Sequence, residues 1–256
     1  MSQVLRKLAV RTSSLLYRQP RLHAALKGIF LKLPESVRGR QMIHDRLEEF
    51  GRSNHQDVTF CVVGANDGVT NDHLYSFAKR HRWKGILVEP VPPYFAELKK
   101  AYEGLPVVLE NVAIHRTETK MTIHYLDAAK ANLPAWAKGV GSFDKTKLDT
   151  LSELPQRGDA LSAVEVDCFP LETVVKRSGF DRIDVFVVDV EGYDAEIVRQ
   201  IDFDGWKVRV LIFEHKLLSK EDMADCLALL DAHGFQRVQD RYDVIAVRES
   251  VPVATP

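Results

Sequence analysis

Short, continuous apolar runs alternate along this chain with stretches in which apolar residues recur every three or four positions. The first run is VTFCVV, Val58 to Val63, and a helical pattern follows near Asn71 with Leu74, Phe77 and Ala78 on one face. GILVE, ending at Glu89, is the second run; PVPP then opens a helix with Phe95, Leu98 and Tyr102 inward. PVVLENVAI, Pro106 to Ile114, is the third. Runs that are apolar throughout must be covered from both sides, so the alternation predicts a mostly parallel sheet with helices on both faces.

The rhythm breaks after Ile114. KMTIHYL reads as an extra strand, a polar loop runs from Asp127 to about Ala160, and AVEVDCF reads as another strand. An insertion of this length in a compact domain usually has a function. The helical pattern resumes at Pro170 and stops at Gly179. IDVFVVDVEGYD, Ile183 to Asp194, is the most apolar run and predicts the centre of the sheet. VRVLIFEH follows, ending at Glu214 and His215, and Ser219 with Asp222 forms a capping-box start to a helix. FQRV and DVIAVR predict a closing antiparallel pair.

Ligands of open α/β sheets sit outside the carboxyl ends of the strands. Here those ends carry Gly64 to Gly68, Glu89, Asn111, Asp189 to Asp194, Glu214 and His215, with no Lys or Arg before Lys216. A dinucleotide requires G-x-G-x-x-G so that backbone can approach a pyrophosphate. Gly64-Ala65-Asn66-Asp67-Gly68 has the spacing G-x-x-x-G and places an anion where the phosphates would lie. S-adenosylmethionine presents a sulfonium cation, an amine and a ribose diol instead, and carboxylates such as Asp67 suit those groups. Glu89 is placed to take the ribose hydroxyls, a feature shared with dinucleotide folds, and Asn111 with Val112 lies where the adenine edge is expected. For Asn111 a turn bonded to its own backbone is an equal alternative.

Composition narrows the partners. A formal net charge of -1 gives no bulk electrostatic footprint for nucleic acid. Cys61, Cys168 and Cys226 are isolated, which predicts buried thiols, a reducing compartment such as the cytoplasm, and no structural metal or disulfide framework. No apolar run approaches the length of a membrane span. Residues 1–52 form a basic amphipathic extension in which Arg6, Lys7, Arg11 and further cations alternate with leucines and Glu35 is the lone acid before position 41. It predicts either helices packed on the main domain or a segment lying on an anionic membrane. The catalytic domain is expected over 53–250, with the insertion at about 115–165.

VVGANDG, LVEP, LENVAI, VEVDCFPLETVV, VVDVEGYD and IFEH stand in the order found in the FkbM family of S-adenosylmethionine-dependent methyltransferases, which this chain resembles over roughly Val58 to Val247. The resemblance implies a class I, Rossmann-like methyltransferase fold: a seven-stranded sheet with its last strand antiparallel. It implies methyl transfer to oxygen, often on a sugar or secondary metabolite. Val62 stands where many methyltransferases have an acid.

Within that frame Asp189 points at the sulfonium end of the cofactor. Proton removal from an acceptor hydroxyl calls for a base, and His215 oriented by Glu191 is the candidate; a structural pair is the alternative. A His with two acids could hold a divalent cation, but the spacing carries no ligand signature and no metal is expected. Tyr193 is placed at the acceptor pocket, and Ser142 and Phe143 of GVGSFDK as a lid over it. The rival readings are a nicotinamide-dependent oxidoreductase, which shares the strand-end acid, and a cofactor-binding adaptor without chemistry.

Overall fold

The computed structural model describes residues 35–53, 58–70, 72–134, 137–149 and 160–248. The elements are α1 (Glu35–Ser53), β1 (Thr59–Val63), α2 (Tyr75–His81), β2 (Lys84–Val88), α3 (Pro92–Ala101), β3 (Val107–Glu110), β4 (Ala113–Ile114), β5 (Lys120–Leu126) and β6 (Gly141–Ser142). After these come α4 (Lys145–Asp149), β7 (Leu161–Phe169), α5 (Leu171–Ser178), β8 (Val185–Val188), α6 (Asp194–Val198), β9 (Val210–Glu214), α7 (Lys220–Ala232), β10 (Gln236–Gln239) and β11 (Asp243–Val247).

One sheet has the order β10-β11-β9-β8-β1-β2-β3. β3, β2, β1, β8 and β9 run parallel, and β11 is antiparallel to both neighbours. This is the class I methyltransferase architecture, with the final strand inserted between β9 and β10. Alternate residues of each strand feed opposite cores. Cys61, Val63, Phe186, Val188, Leu211 and Phe213 pack with Leu171, Val174 and Val175 of α5 and Leu230 of α7. Phe60, Val62, Leu87, Val185, Val187 and Ile212 pack on the other face with Phe77 and Ala78 of α2 and Leu98 of α3. Ile43, Leu47 and Phe50 of α1 join this second core against Trp83, so the chain from Glu35 onward is already part of the covered sheet. The stretch before Glu35, and with it any membrane contact, lies outside the described residues. No helix among the described residues is long and apolar enough to cross a membrane.

PVVLENVAI divides where a single strand was expected. β3 ends at Glu110, and β4 leaves the main sheet to pair with β7. The Asn111 amide donates to the carbonyls of Glu89 (2.8 Å) and Pro90 (3.0 Å), which ties the break to the end of β2. β4, β7, β5 and β6 form a second sheet, built from the insertion. Its inner face buries Val91 and Tyr94 of the α3 start against Ile123, Tyr125 and Val166. The segment from Asp127 to Ala160 therefore holds β6 and α4 as well as loop, elements too short to leave a periodic pattern.

Candidate active site

Two glycine turns meet where β1 and β8 end. Val63 pairs with Val188, so Gly64 falls beside Asp189. A Cβ on Gly64, whose φ is +86°, would stand 1.8 Å from the Asp189 carbonyl. That glycine allows two backbones to touch. Gly68 serves packing of another kind: a Cβ there would meet Leu98 of α3 at 2.5 Å, and the residue faces away from the cleft.

The cleft, counted together with the open solvent it meets, spans about 1080 Å³. Gly64, Ala65, Asn66, Glu89, Val112, Ser142, Phe143, Asp189, Glu191 and Tyr193 all line it, so the structure gathers most of the expected residues on one surface. Asp67, Gly68, Asn111 and His215 do not line it.

Glu89 joins the turns. Its Oε2 accepts from the Asn66 amide and its Oε1 from the Val91 amide, both at 2.8 Å, and it is 4% exposed. Each oxygen has a lone pair left for a ligand. Burial pushes this carboxyl up to about 7, against those two hydrogen bonds and with help from Asp189 and Asp67.

Asp67 was expected to answer a cationic ligand, and the structure gives it, like Asp72 beyond it, other partners. Asp67 accepts from the amides of Val69 (2.9 Å) and Thr70 (2.7 Å), from the Thr70 hydroxyl, and from Lys138. Burial acts to raise its carboxyl, but these bonds outweigh it and hold it below the usual carboxylate range. Asp72 accepts from the amides of Leu74 and Tyr75, ahead of α2, and from the Tyr102 hydroxyl. The acidity of the turn is the turn's own hydrogen bonding.

The VDVEGYD turn is different. The buried Asp194 carboxylate accepts from the amides of Val190 (3.3 Å) and Gly192 (2.9 Å). That clamps the turn and holds Glu191 in the left-handed region at φ 52°, a conformation costing about 1–3 kcal/mol without such support. Asp189 and Glu191 accept no side-chain hydrogen bond among the described residues. Asp189 is exposed at the cleft and Glu191 half-buried, yet desolvation by the cleft walls raises both carboxyls; Asp189 and Asp194 push Glu191 further, while Lys216 opposes.

The pairing of Glu191 with His215 is not formed. The His215 Nε2 lies 3.0 Å from the Asp240 carbonyl, in the turn joining β10 and β11. The acid beside it takes the place instead. Val188 pairs with Phe213, so Asp189 falls beside Glu214, and successive strand residues face opposite sides. Carboxylate oxygens of Asp189, Glu191 and Glu214 all lie within 4.8 Å of one another. One Glu214 oxygen is buried with no hydrogen-bond partner, and burial together with its two acidic neighbours raises its carboxyl. Such a group shares protons, or meets a cation; three oxygen donors would suit a hard divalent ion, where no metal was expected from spacing. Glu214 is the residue that the sequence pattern alone left unassigned, although strand parity identifies it.

At the outer end Tyr193 stacks on His115 (5.5 Å between centroids), and Phe143 meets both rings edge-on. Phe143 and Tyr193 form an aromatic wall facing the carboxylates.

No curated protein matches the chain. Among solved structures it is similar to a methyltransferase FkbM from Methylobacillus flagellatus KT, with 12% identity, a TM-score of 0.45 and coverage of 75% of this chain, which spans 44% of that one. It is also similar to the N-terminal domain of human METTL16 (13% identity, TM-score 0.41, 84% and 70% of the two chains). A ribosomal protein L11 methylase from Lactobacillus delbrueckii subsp. bulgaricus is a further likeness (9% identity, TM-score 0.40, 84% and 80%). The methyltransferase FkbM domain model matches residues 63–237, which include both turns, Glu89 and the whole insertion; the chain belongs to that methyltransferase family.

Proposed function

We propose that this methyltransferase uses S-adenosylmethionine and methylates a hydroxyl of a neutral sugar or secondary metabolite. The observation that carries the reading is the pair of cleft carboxylates, Asp189 and Glu191, that have no hydrogen-bond partner among the described residues. Asp189 is open to the cleft and Glu191 half-buried, and carboxylates crowded within 4.8 Å of one another without a partner call for a cation. A pyrophosphate is disfavoured twice over: by these charges, and because the amides of Gly64, Ala65, Asn66 and Gly68 are already committed to Val88, Glu89 and Ala65.

S-adenosylmethionine, when bound, supplies an electrophilic methyl group on a sulfonium. Glu89 would accept the ribose hydroxyls, Val112 would pack on the base, and Asp189 would face the positive charge. Glu191 is the base in this reading. Its carboxyl is held above the ordinary range, which makes it the stronger proton acceptor once ionised, and a cation in the cleft favours that ionised form. Tyr193 and Phe143 would hold an uncharged ring face at the cleft mouth. Much of the rate would come from alignment alone.

Calorimetric titration separates this reading from the oxidoreductase. S-adenosylhomocysteine should bind and NAD should not; tight NAD binding with no response to S-adenosylhomocysteine overturns the proposal. Binding without turnover across a broad panel of hydroxyl acceptors would favour the adaptor.

A further inference from the structure

Residues 138–147 cross the cleft from one acidic turn to the other. At the first end the Lys138 carbonyl accepts from the Asn66 side-chain amide at 2.8 Å, and the Lys138 ammonium reaches Asp67 at 3.1 Å and Glu97 of α3. Gly139, at φ +85°, presses so close that a Cβ would stand 2.1 Å from the Asn66 Oδ1. At the far end the Ser142 hydroxyl donates to the Glu191 carbonyl (3.4 Å) and Lys147 to the Gly192 carbonyl (2.7 Å). Between these points Val140 to Phe143 form a wall of the cleft.

The two attachments differ in kind. The far end combines hydrogen bonds to backbone with the packed rings of Phe143 and Tyr193. The near end has one bond to backbone, from Asn66 to the Lys138 carbonyl, and adds an ion-pair node in which Asp67 is buried but the other two members reach water: the Lys138 side chain is 27% exposed and that of Glu97 46%. Ions so placed exchange partners and are screened by salt. Lys138 is also the one Lys or Arg that lines the cleft among the described residues.

We infer that residues 138–147 are a strap, anchored at the Glu191–Gly192 turn and latched at Lys138, and that release of Lys138 from Glu97 and Asp67 sets how fast the cofactor loads and leaves. The inference rests on the S-adenosylmethionine reading for the identity of the cofactor. A ligand filling the cleft from the Gly64 turn to Glu191 lies under both attachments, and the ionic one yields first.

Glu97→Gln tests the latch without touching a residue that lines the cleft. Stopped-flow displacement of S-adenosylhomocysteine should show dissociation about five-fold faster than wild type, the scale of one partly exposed ion pair. Wild-type dissociation should accelerate with salt towards the variant's rate, and the variant, which keeps only the more buried Asp67 pair, should respond less. In ligand-free protein, amide hydrogen exchange over 139–143 should be faster in Glu97→Gln. Unchanged amide exchange overturns the latch, and faster exchange with unchanged dissociation overturns its control of cofactor loading. If wild type does not bind S-adenosylhomocysteine, the cofactor reading fails, while ligand-free exchange still decides whether the strap is latched.

Discussion

At the end of β1, Asp67 accepts hydrogen bonds from Val69, Thr70 and Lys138, and Asp72 from Leu74, Tyr75 and Tyr102. At the end of the neighbouring strand β8, Asp194 alone clamps the chain, and Asp189 and Glu191 are left facing the cleft. Both turns are acidic and contain glycine. What separates them is the supply of local donors. In the first, amides, a lysine and the Tyr102 hydroxyl bond the acids, although burial still raises Asp72; in the second, one aspartate satisfies the backbone and the remaining acids, without such partners, are raised by desolvation, Glu191 also by its acidic neighbours. Function is read from the carboxylates left over, because only those can gain from a ligand.

The comparison can be broken most sharply at Glu191. Glu191→Gln should lower turnover about 10²-fold or more while S-adenosylhomocysteine affinity stays within about three-fold, as expected for a base acting on the acceptor. Single-turnover assays and calorimetry on one preparation decide it; a matching loss of affinity would make Glu191 a cofactor ligand. Glu89→Ala comes next. Losing charge-assisted bonds should cost on the order of 1.5–3 kcal/mol of cofactor affinity per bond. Because the same carboxylate satisfies Asn66 and Val91, stability should fall by about 1–3 kcal/mol as well. Denaturant unfolding beside calorimetry reads both.

Asp67→Ala sharpens the contrast from the other side. It should cost stability of about 1–3 kcal/mol through unsatisfied amides, with a smaller effect on cofactor affinity than Glu89→Ala. The reverse ranking would return Asp67 to the ligand. The smallest effect is expected at His215, whose ring bonds to the Asp240 carbonyl: His215→Ala should change turnover by no more than about two-fold. A loss comparable to that of Glu191→Gln in steady-state assays would restore it as the base.

Much of this architecture is legible in the chain. Apolar runs mark β1, β2, β8 and β9, and their uniform burial follows from being covered twice. Glu89 and Asp189 are legible because strand ends are where such sheets bind ligands. Tertiary bonding hides the rest. Nothing local shows that the Asn111 amide will bond back to Glu89 and Pro90, or that a lysine about seventy residues beyond Asp67 will satisfy it. Glu214 is an intermediate case. Its ordinary pKa favours the histidine beside it as a base, but strand parity turns Glu214, not His215, towards Asp189. Two-residue β6 has no period to detect, although both its residues line the cleft.

The central claim is that the cleft's carboxylates await a cation, and the most direct measurement is the affinity of S-adenosylmethionine relative to S-adenosylhomocysteine between pH 6 and pH 9. Glu89 is raised to about 7, and Asp189 and Glu191 are raised with it, so their stabilising protonated forms are lost as pH rises through those values. Ligand-free protein should lose stability in that direction. The sulfonium should offset the emerging charge, whereas the neutral sulfide cannot. The account predicts that preference for S-adenosylmethionine grows as pH rises and flattens in Asp189→Asn. Parallel curves for the two ligands, or a preference that falls with pH, would contradict it.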